Sequence, residues 1–185
     1  MYDYGIYVDV SNILINYPDR VSLMVLQWKL QKYFNARVIT YHLFISLPGD
    51  RPCRERRIAD AARRQPWYVV HDEHRQVEMR DGRRTEKGVD VDLACQVMED
   101  AMRDKHDFYV IVSADSDFLP LARRLRKLGR QIKIVGPYHA TTHEVRDDPN
   151  FTNIFDVYPP PQVEQTFNDN LDDDDPPLGL SSDEE

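Results

Sequence analysis

The sequence lacks features that mark several well-defined classes of protein. Its 185 residues include two cysteines, Cys53 and Cys95, which form no CxxC pair and have no metal-binding spacing. A disulfide scaffold and a cysteine zinc site are therefore excluded. No apolar run approaches the roughly 20 residues of a transmembrane helix, and the opening MYDYGIYVDV does not resemble a signal peptide. These absences predict a cytoplasmic protein without a membrane partner.

Positive charge is missing from the C-terminal end. Residues 159–185 contain nine of the 32 acidic residues and none of the 24 lysines and arginines. The net charge of -8 arises from this segment, whereas the remainder is close to neutral. Proline and aspartate dominate the segment, which is typical of disorder. We predict one folded domain over 1–158 and a disordered acidic tail over 159–185, which either competes with a bound polyanion or only keeps the chain soluble.

Apolar runs of strand length alternate with segments of helical periodicity. Strands are predicted at 4–10, 36–45, 67–71, 107–113 and 131–136. Helices are predicted at 21–34, 52–65, 91–104 and 117–129. The pair Asp81 and Gly82 is typical of a tight hairpin turn. The alternation predicts an α/β fold with a mostly parallel sheet and helices on both faces.

Acidic residues lie at or near the ends of predicted strands. Asp9 ends the first strand, and Asp115 and Asp117 follow the fourth. Asp90 opens the helix that follows the hairpin. Ligands bind beyond the carboxyl ends of parallel strands, where the strand order reverses, so these carboxylates meet if the first and fourth strands are neighbours. Clustered carboxylates repel unless a cation compensates, and an all-oxygen set favours Mg²⁺ or Mn²⁺ over Zn²⁺.

Each acid also has an interpretation that involves no metal. Asp9 suits a turn, Asp90 suits the first turn of a helix, and the pair after the fourth strand suits a helix cap. The spacing of Asp115 and Asp117 also suits a phosphatase with an aspartate nucleophile. An additional acid on the first strand fits such a phosphatase poorly, so this alternative ranks below a metal site.

Three stretches of sequence contain the acidic motifs: IYVDVSNIL, KGVDVDLACQVM and VIVSADSDFLPLARRLRKLGRQIKIVG. The first is similar to the aspartate-x-x-asparagine motif of NYN domains, within the PIN-like nuclease superfamily. The second resembles their lysine-glycine-valine-aspartate helix start, and the third resembles their SGDSDF strand and following helix. The resemblance spans residues 4 to 136 in the right order. It implies a PIN-like (Rossmann-like) fold and a ribonuclease that uses Mg²⁺ or Mn²⁺ to hydrolyse phosphodiester bonds within RNA.

The resemblance also implies roles for individual residues. Asp9, Asp90 and Asp115 would be the metal ligands. The residues that would support them are Asn12, Ser113 and Asp117, of which Asn12 and Asp117 complete the catalytic set. We assign contacts with single-stranded or structured RNA to residues of the arginine clusters RPCRERR and RDGRR and to two residues of the motifs. These residues are Ser11, Arg56, Arg57, Arg83, Arg84 and Lys87.

Two positions depart from the family pattern. Ala114 replaces the usual glycine, which matters only if the backbone there has a positive φ. Gln96 stands where many relatives have a further aspartate; it can still bind metal or phosphate but adds no charge. Asp92 lies about 200° round the helix from Asp90 and should face elsewhere. Because of Gln96, a second function is also considered, that of a non-catalytic RNA-binding or scaffolding module. The sequence does not determine the oligomeric state, and a homodimer is one of the states it allows.

Overall fold

The computed structural model describes residues 2–17, 22–47, 52–73, 77–78, 84–85 and 87–158. The strands in these ranges are β1 (Tyr2–Asp9), β2 (Ala36–Phe44), β3 (Tyr68–His71), β4 (Val77–Glu78), β5 (Arg84–Thr85), β6 (Phe108–Val112), β7 (Gln131–Gly136) and β8 (Phe151–Asn153). The helices are α1 (Val10–Asn16), α2 (Leu23–Phe34), α3 (Arg54–Ala62), α4 (Val89–Met102), α5 (Leu119–Lys127), α6 (His143–Arg146) and α7 (Ile154–Val157). None of these helices is both long and apolar enough to cross a membrane.

Six strands form one parallel sheet in the order β3-β2-β1-β6-β7-β8. The order reverses between β1 and β6, which pair from Tyr4 with Phe108 to Val8 with Val112. The first and fourth predicted strands are therefore neighbours, which is the condition under which their acidic residues can meet. β4 and β5 form a separate antiparallel pair, and the predicted turn residues between them lie outside the described residues.

Helices cover both faces of the sheet, because successive side chains of a strand point to opposite sides. On one face, Val8 packs in a core with Leu26 of α2 and with residues of α1, α3 and α7. On the other, Ile111 packs with Leu93 of α4 and Leu125 of α5. Burial on both faces explains why the central strands are almost continuously apolar. The predicted α/β fold class is confirmed.

Short elements differ from the prediction. A turn is one of the interpretations that the sequence allows for Asp9, and residue 10 is predicted to end the first strand. Instead Val10–Asn16 form α1, because the Asp9 carboxylate accepts a hydrogen bond from the Asn12 N–H at 3.0 Å and caps the helix. Residues after 136 form α6, β8 and α7, each of three or four residues. Such elements are too short for periodicity to predict. The predicted tail, 159–185, lies outside the described residues.

Candidate active site

Asp9 and Ser113 meet where the strand order reverses. Asp9 ends β1 and is only 5% exposed, and Ser113 directly follows β6. The Ser113 hydroxyl donates to the Asp9 Oδ2 at 3.3 Å. Gly136, at the end of β7, lets the backbone of Ser113 pack closely against β7, since a Cβ on Gly136 would lie 2.7 Å from the Ser113 carbonyl oxygen. A buried carboxylate is thereby held at the carboxyl edge of the two central strands.

Asn12 joins α1 to the loop that follows β6. Its side-chain oxygen accepts a hydrogen bond from the Ala114 N–H at 2.8 Å. Ala114 is absent from the residues with positive φ, so alanine in place of glycine imposes no backbone strain here. The neighbouring Ser11 is partly buried in the first turn of α1. The contact indicates that Asn12 positions the loop bearing the next acidic pair.

Asp115 caps the turn that follows β6, which is one of the interpretations that the sequence allows. Its carboxylate accepts from the Asp117 N–H at 2.9 Å and so caps the short 3-10 turn Ser116–Phe118. Its own N–H donates to the Ser113 hydroxyl at 3.1 Å, and that hydroxyl also contacts Asp9. Asp115 is partly buried and Asp117 is exposed. The cap fixes Asp115 beside Asp9 and leaves the Asp117 carboxylate at the surface.

Asp90 belongs to the same group of carboxylates. It is the second residue of α4, which starts after Gly88 in a left-handed conformation with φ 87°. Partial burial raises the pKa of Asp90, and the negative charges of Asp115 and Asp117 raise it further. Asp90 and Asp117 also line the same groove, so α4 and the turn after β6 bring these two carboxylates to one side of the molecule. We call Asp9, Asp90, Asp115 and Asp117 the acidic edge.

The acidic edge has the chemistry of a hard-cation site. Among the described residues, no lysine, arginine or histidine forms an ion pair with Asp90, Asp115 or Asp117. Like charges gathered on one side of a molecule repel one another, and Mg²⁺ or Mn²⁺ coordinated by oxygen relieves the repulsion. Beside the edge, α4 and α5 border an apolar groove of about 500 Å³ that includes Met98 and Phe118. The residues present therefore fit a divalent cation.

The predicted RNA-binding residues are not all part of this arrangement. Arg56 and Arg57 lie in the first turns of α3, after β2. Arg57 is exposed and borders a different cavity, of about 390 Å³, between α2 and α3. Lys87 is exposed just before α4. Arg83 lies outside the described residues, and only the backbone pairing of Arg84 with Glu78 is described.

Gln96 does not extend toward the acidic edge. Its amide donates to Asp100 Oδ1 at 3.1 Å, one turn further along α4. Asp92 faces away from Asp90, and its carboxylate lies 3.9 Å from His71 Nδ1. Asp92, Gln96 and Asp100 thus form a polar stripe with a spacing of four residues on α4. The side chain of Gln96, at the position where the sequence departs from the family pattern, therefore belongs to this stripe and not to the acidic edge.

Replacing Gln96 with aspartate should destabilise the protein by about 1–2 kcal/mol at pH 7, because it removes a donor to Asp100 and adds a like charge. The introduced carboxyl would have a raised pKa in the folded state. The loss of folding free energy caused by this carboxyl should therefore be absent below about pH 4, where it is protonated in both the folded and the unfolded protein. The loss should be complete above the pKa of the carboxyl in the folded protein. Urea unfolding against pH, with Gln96→Asn as the uncharged control, measures this. Equal stability of Gln96→Asp and Gln96→Asn at pH 7 would show that the side chain at position 96 does not lie near Asp100.

The sequence analysis missed a second polar cluster, buried between α4 and the sheet. Asp100 is 1% exposed and accepts from the Tyr7 hydroxyl at 2.8 Å and from Lys105 Nζ at 3.0 Å. His42 lies beside it on β2, with Nε2 3.5 Å from Asp100 Oδ2. Burial lowers the pKa of His42 to about 3 despite the nearby carboxylate, so its imidazole is neutral. The polar stripe on α4 was the available signal for this cluster.

Comparisons with known proteins agree with the fold and with the family resemblance. The sequence matches the NYN domain over residues 3–155. A crystal structure of a protein of unknown function from Vibrio parahaemolyticus is similar, with a TM-score of 0.64 and 22% sequence identity, and the match covers 84% of this chain and 94% of that one. Comparison with curated protein sequences finds no match. The match over 3–155 shows that the chain belongs to the NYN domain family of PIN-like nucleases.

Proposed function

We propose that the protein is a ribonuclease that uses Mg²⁺ or Mn²⁺ to hydrolyse phosphodiester bonds within RNA. The observation that supports this function best is the gathering of carboxylates at the edge where the strand order reverses. Ser113 bridges Asp9 and Asp115, and the charge of Asp115 acts on Asp90. Membership of the NYN family gives a nuclease-like fold to the same residues.

In this proposal Asp9, Asp90 and Asp115 hold the cation. A divalent cation supplies charge neutralisation at the scissile phosphate and lowers the pKa of the attacking water. Ser113 fixes two of the ligands, since its hydroxyl contacts Asp9 Oδ2 and the Asp115 N–H. Asp117 is exposed on the turn that Asp115 caps, and in this proposal it orients a water molecule and accepts its proton.

Phosphate binding is assigned to basic residues outside the acidic edge. Lys87 is exposed just before α4, and Arg57 is exposed near the start of α3. Both helices start at the carboxyl side of the sheet, because each connects parallel strands. We assign RNA contacts to these two residues, to Ser11, and to Arg56, Arg83 and Arg84 from their arginine clusters. Phosphate contacts of this kind give affinity without base specificity.

Cleavage of an end-labelled RNA of mixed sequence tests the proposed function. The wild-type protein should cleave it at internal positions in Mn²⁺ or Mg²⁺, and should leave it intact in excess EDTA. Readdition of the metal should restore cleavage, which would exclude irreversible loss of structure by the chelator. A DNA of the same sequence serves as the substrate control.

A non-catalytic RNA-binding module is the second candidate, and the position of Gln96 favours it. The amide of Gln96 is used by Asp100, so the acidic edge has one carboxylate fewer than in many relatives. Binding of RNA without cleavage at any Mn²⁺ concentration would support this alternative and would contradict the ribonuclease. Cleavage that needs metal would exclude it.

A further inference from the structure

Three potential metal ligands from separate elements converge beneath α4. His42 lies on β2, Asp100 lies near the end of α4, and His106 lies just before β6. One ligand atom from each side chain lies within 4.8 Å of the other two. His42 and Asp100 are each 1% exposed. The cluster is therefore a feature of the interior and differs from an exposed group of charges.

Each imidazole has a buried nitrogen that forms no hydrogen bond within the described residues, although Nε2 of His42 lies 3.5 Å from Asp100 Oδ2. Nε2 of His42 and Nε2 of His106 are both buried, and neither forms a hydrogen bond with any residue that the structure describes. An unsatisfied buried polar atom costs about 1–3 kcal/mol, so native proteins rarely retain one without a reason. Two such atoms beside one carboxylate indicate that a ligand completes the group.

The surroundings hold the possible ligands as they are held in known metal sites. His42 Nδ1 lies 3.1 Å from His71 Nε2, which fixes the ring so that Nε2 points toward Asp100. Asp100 Oδ1 accepts from Lys105 and Gln96, whereas Oδ2 accepts from the Tyr7 hydroxyl and also faces His42. Outer partners of this kind orient imidazole and carboxylate ligands.

Gly5 gives His106 the room that it needs. A Cβ at this position of β1 would lie 2.4 Å from Cδ2 of His106 and 2.7 Å from the Tyr7 hydroxyl. Any side chain at Gly5 would therefore push the imidazole away from the cluster. The absence of a side chain lets His106 lie across the central strand.

We propose that His42, Asp100 and His106 bind one Zn²⁺ ion that stabilises the fold. Two imidazoles and one carboxylate suit Zn²⁺, whereas Mg²⁺ prefers oxygen ligands alone. Ligand atoms around tetrahedral Zn²⁺ are about 3.3 Å apart, so the ion would draw these side chains closer by roughly 1 Å. A bound ion would join β2, α4 and the start of β6. The proposal does not depend on the ribonuclease function.

The zinc site is separate from the acidic edge. Asp100 follows Asp90 by ten residues of one helix, which corresponds to about 15 Å along its axis. No single ion can contact both carboxylates over such a distance. Saturating the acidic edge with Mg²⁺ should therefore leave the zinc site available, and this difference makes the two sites distinguishable in solution.

Zinc and cobalt titration of the full-length, chelator-treated protein in excess Mg²⁺ tests the proposal. Calorimetry should give one Zn²⁺ per chain, and Co²⁺ should give visible absorption typical of a four-coordinate nitrogen and oxygen site. His106→Ala should weaken Zn²⁺ binding by roughly 100-fold or more, and so should His106→Gln, whose larger polar side chain fills more of the space left by the imidazole. Zn²⁺ should also raise the Tm of the wild-type protein but not of these variants.

Three control variants change candidate ligands that lie elsewhere in the protein. His143→Ala deletes an exposed histidine on α6, Cys95→Ser deletes an exposed thiol on α4, and Asp9→Asn alters the acidic edge. All three should bind one Zn²⁺ with unchanged affinity. The proposal is overturned if wild-type protein binds no Zn²⁺, if both His106 variants bind it normally, or if any of the three controls loses it.

Discussion

Asp9→Asn will reduce the rate of metal-dependent RNA cleavage by roughly 100-fold or more, because it removes the most buried charge of the acidic edge. The change is nearly isosteric, and the asparagine oxygen can still accept from the Asn12 N–H that begins α1. The fold should therefore persist while the cation loses a ligand. Single-turnover cleavage in Mn²⁺ measures the rate, and the rise in Tm on adding Mn²⁺ should fall in parallel.

Asp60→Asn is the matched control for this change. Asp60 is an exposed aspartate on α3, and its pairing with Arg63 is on the surface. Its replacement should leave both the cleavage rate and the Mn²⁺-induced rise in Tm unchanged. Cleavage by Asp9→Asn at the wild-type rate would show that the reaction does not use the acidic edge.

Asp100→Ala will lower the free energy of unfolding by about 3 kcal/mol in the absence of metal, since it leaves the Tyr7 hydroxyl buried without an acceptor and opens a cavity. Tyr7 is fully buried and its hydroxyl donates to this carboxylate. Lys105 is partly exposed, so its ammonium group can turn toward water and limits the loss. Urea unfolding in EDTA measures the change, and Asp60→Ala should cost less than about 0.5 kcal/mol.

Tyr7→Phe separates the hydrogen bond from the cavity. Alone it should cost about 1 kcal/mol, but in the Asp100→Ala background it should cost nothing and should recover part of the loss, because it removes the hydroxyl that has lost its acceptor. Additive losses in the double variant would show that the contact does not stabilise the fold.

The pH dependence gives an independent check on Asp100. Burial alone raises the pKa of Asp100, but hydrogen bonds from Tyr7 and Lys105 outweigh burial and hold the pKa below its ordinary value. A lowered folded pKa contributes stability above the unfolded pKa and loses it as the pH falls. The difference between wild type and Asp100→Ala should therefore shrink below about pH 4.

The sequence was most informative about long elements. β1 and β6 could be predicted because they are apolar on both faces, and α4 and α5 because their apolar residues recur at helical spacing. α1 could not be predicted, since its seven residues depend on a cap supplied by Asp9, a residue that is equally suited to a turn. Short elements depend on such single contacts, which periodicity does not report.

The candidate site was predictable to the extent that its residues lie at strand ends. Asp9 ends one strand and Asp115 follows its neighbour, and Asp90 opens the helix after the hairpin, so the order of the elements suggests that they meet. The assignment of all three as metal ligands required the family motifs. The His42 and Asp100 contact was missed, because the two residues are 58 positions apart and a histidine in a strand gives no sign of its partner. The four-residue spacing of Asp92, Gln96 and Asp100 was visible but was not interpreted as a buried face.

A crystal structure of the protein with Mn²⁺, measured at the manganese absorption edge, tests the central claim most directly. The proposed function predicts an anomalous peak about 2.2 Å from carboxylate oxygens of Asp9, Asp90 and Asp115, and none there in Asp9→Asn crystals grown under the same conditions. A wild-type crystal with no manganese at these residues, from protein that still cleaves RNA in Mn²⁺, would contradict the assignment of the acidic edge as the active site.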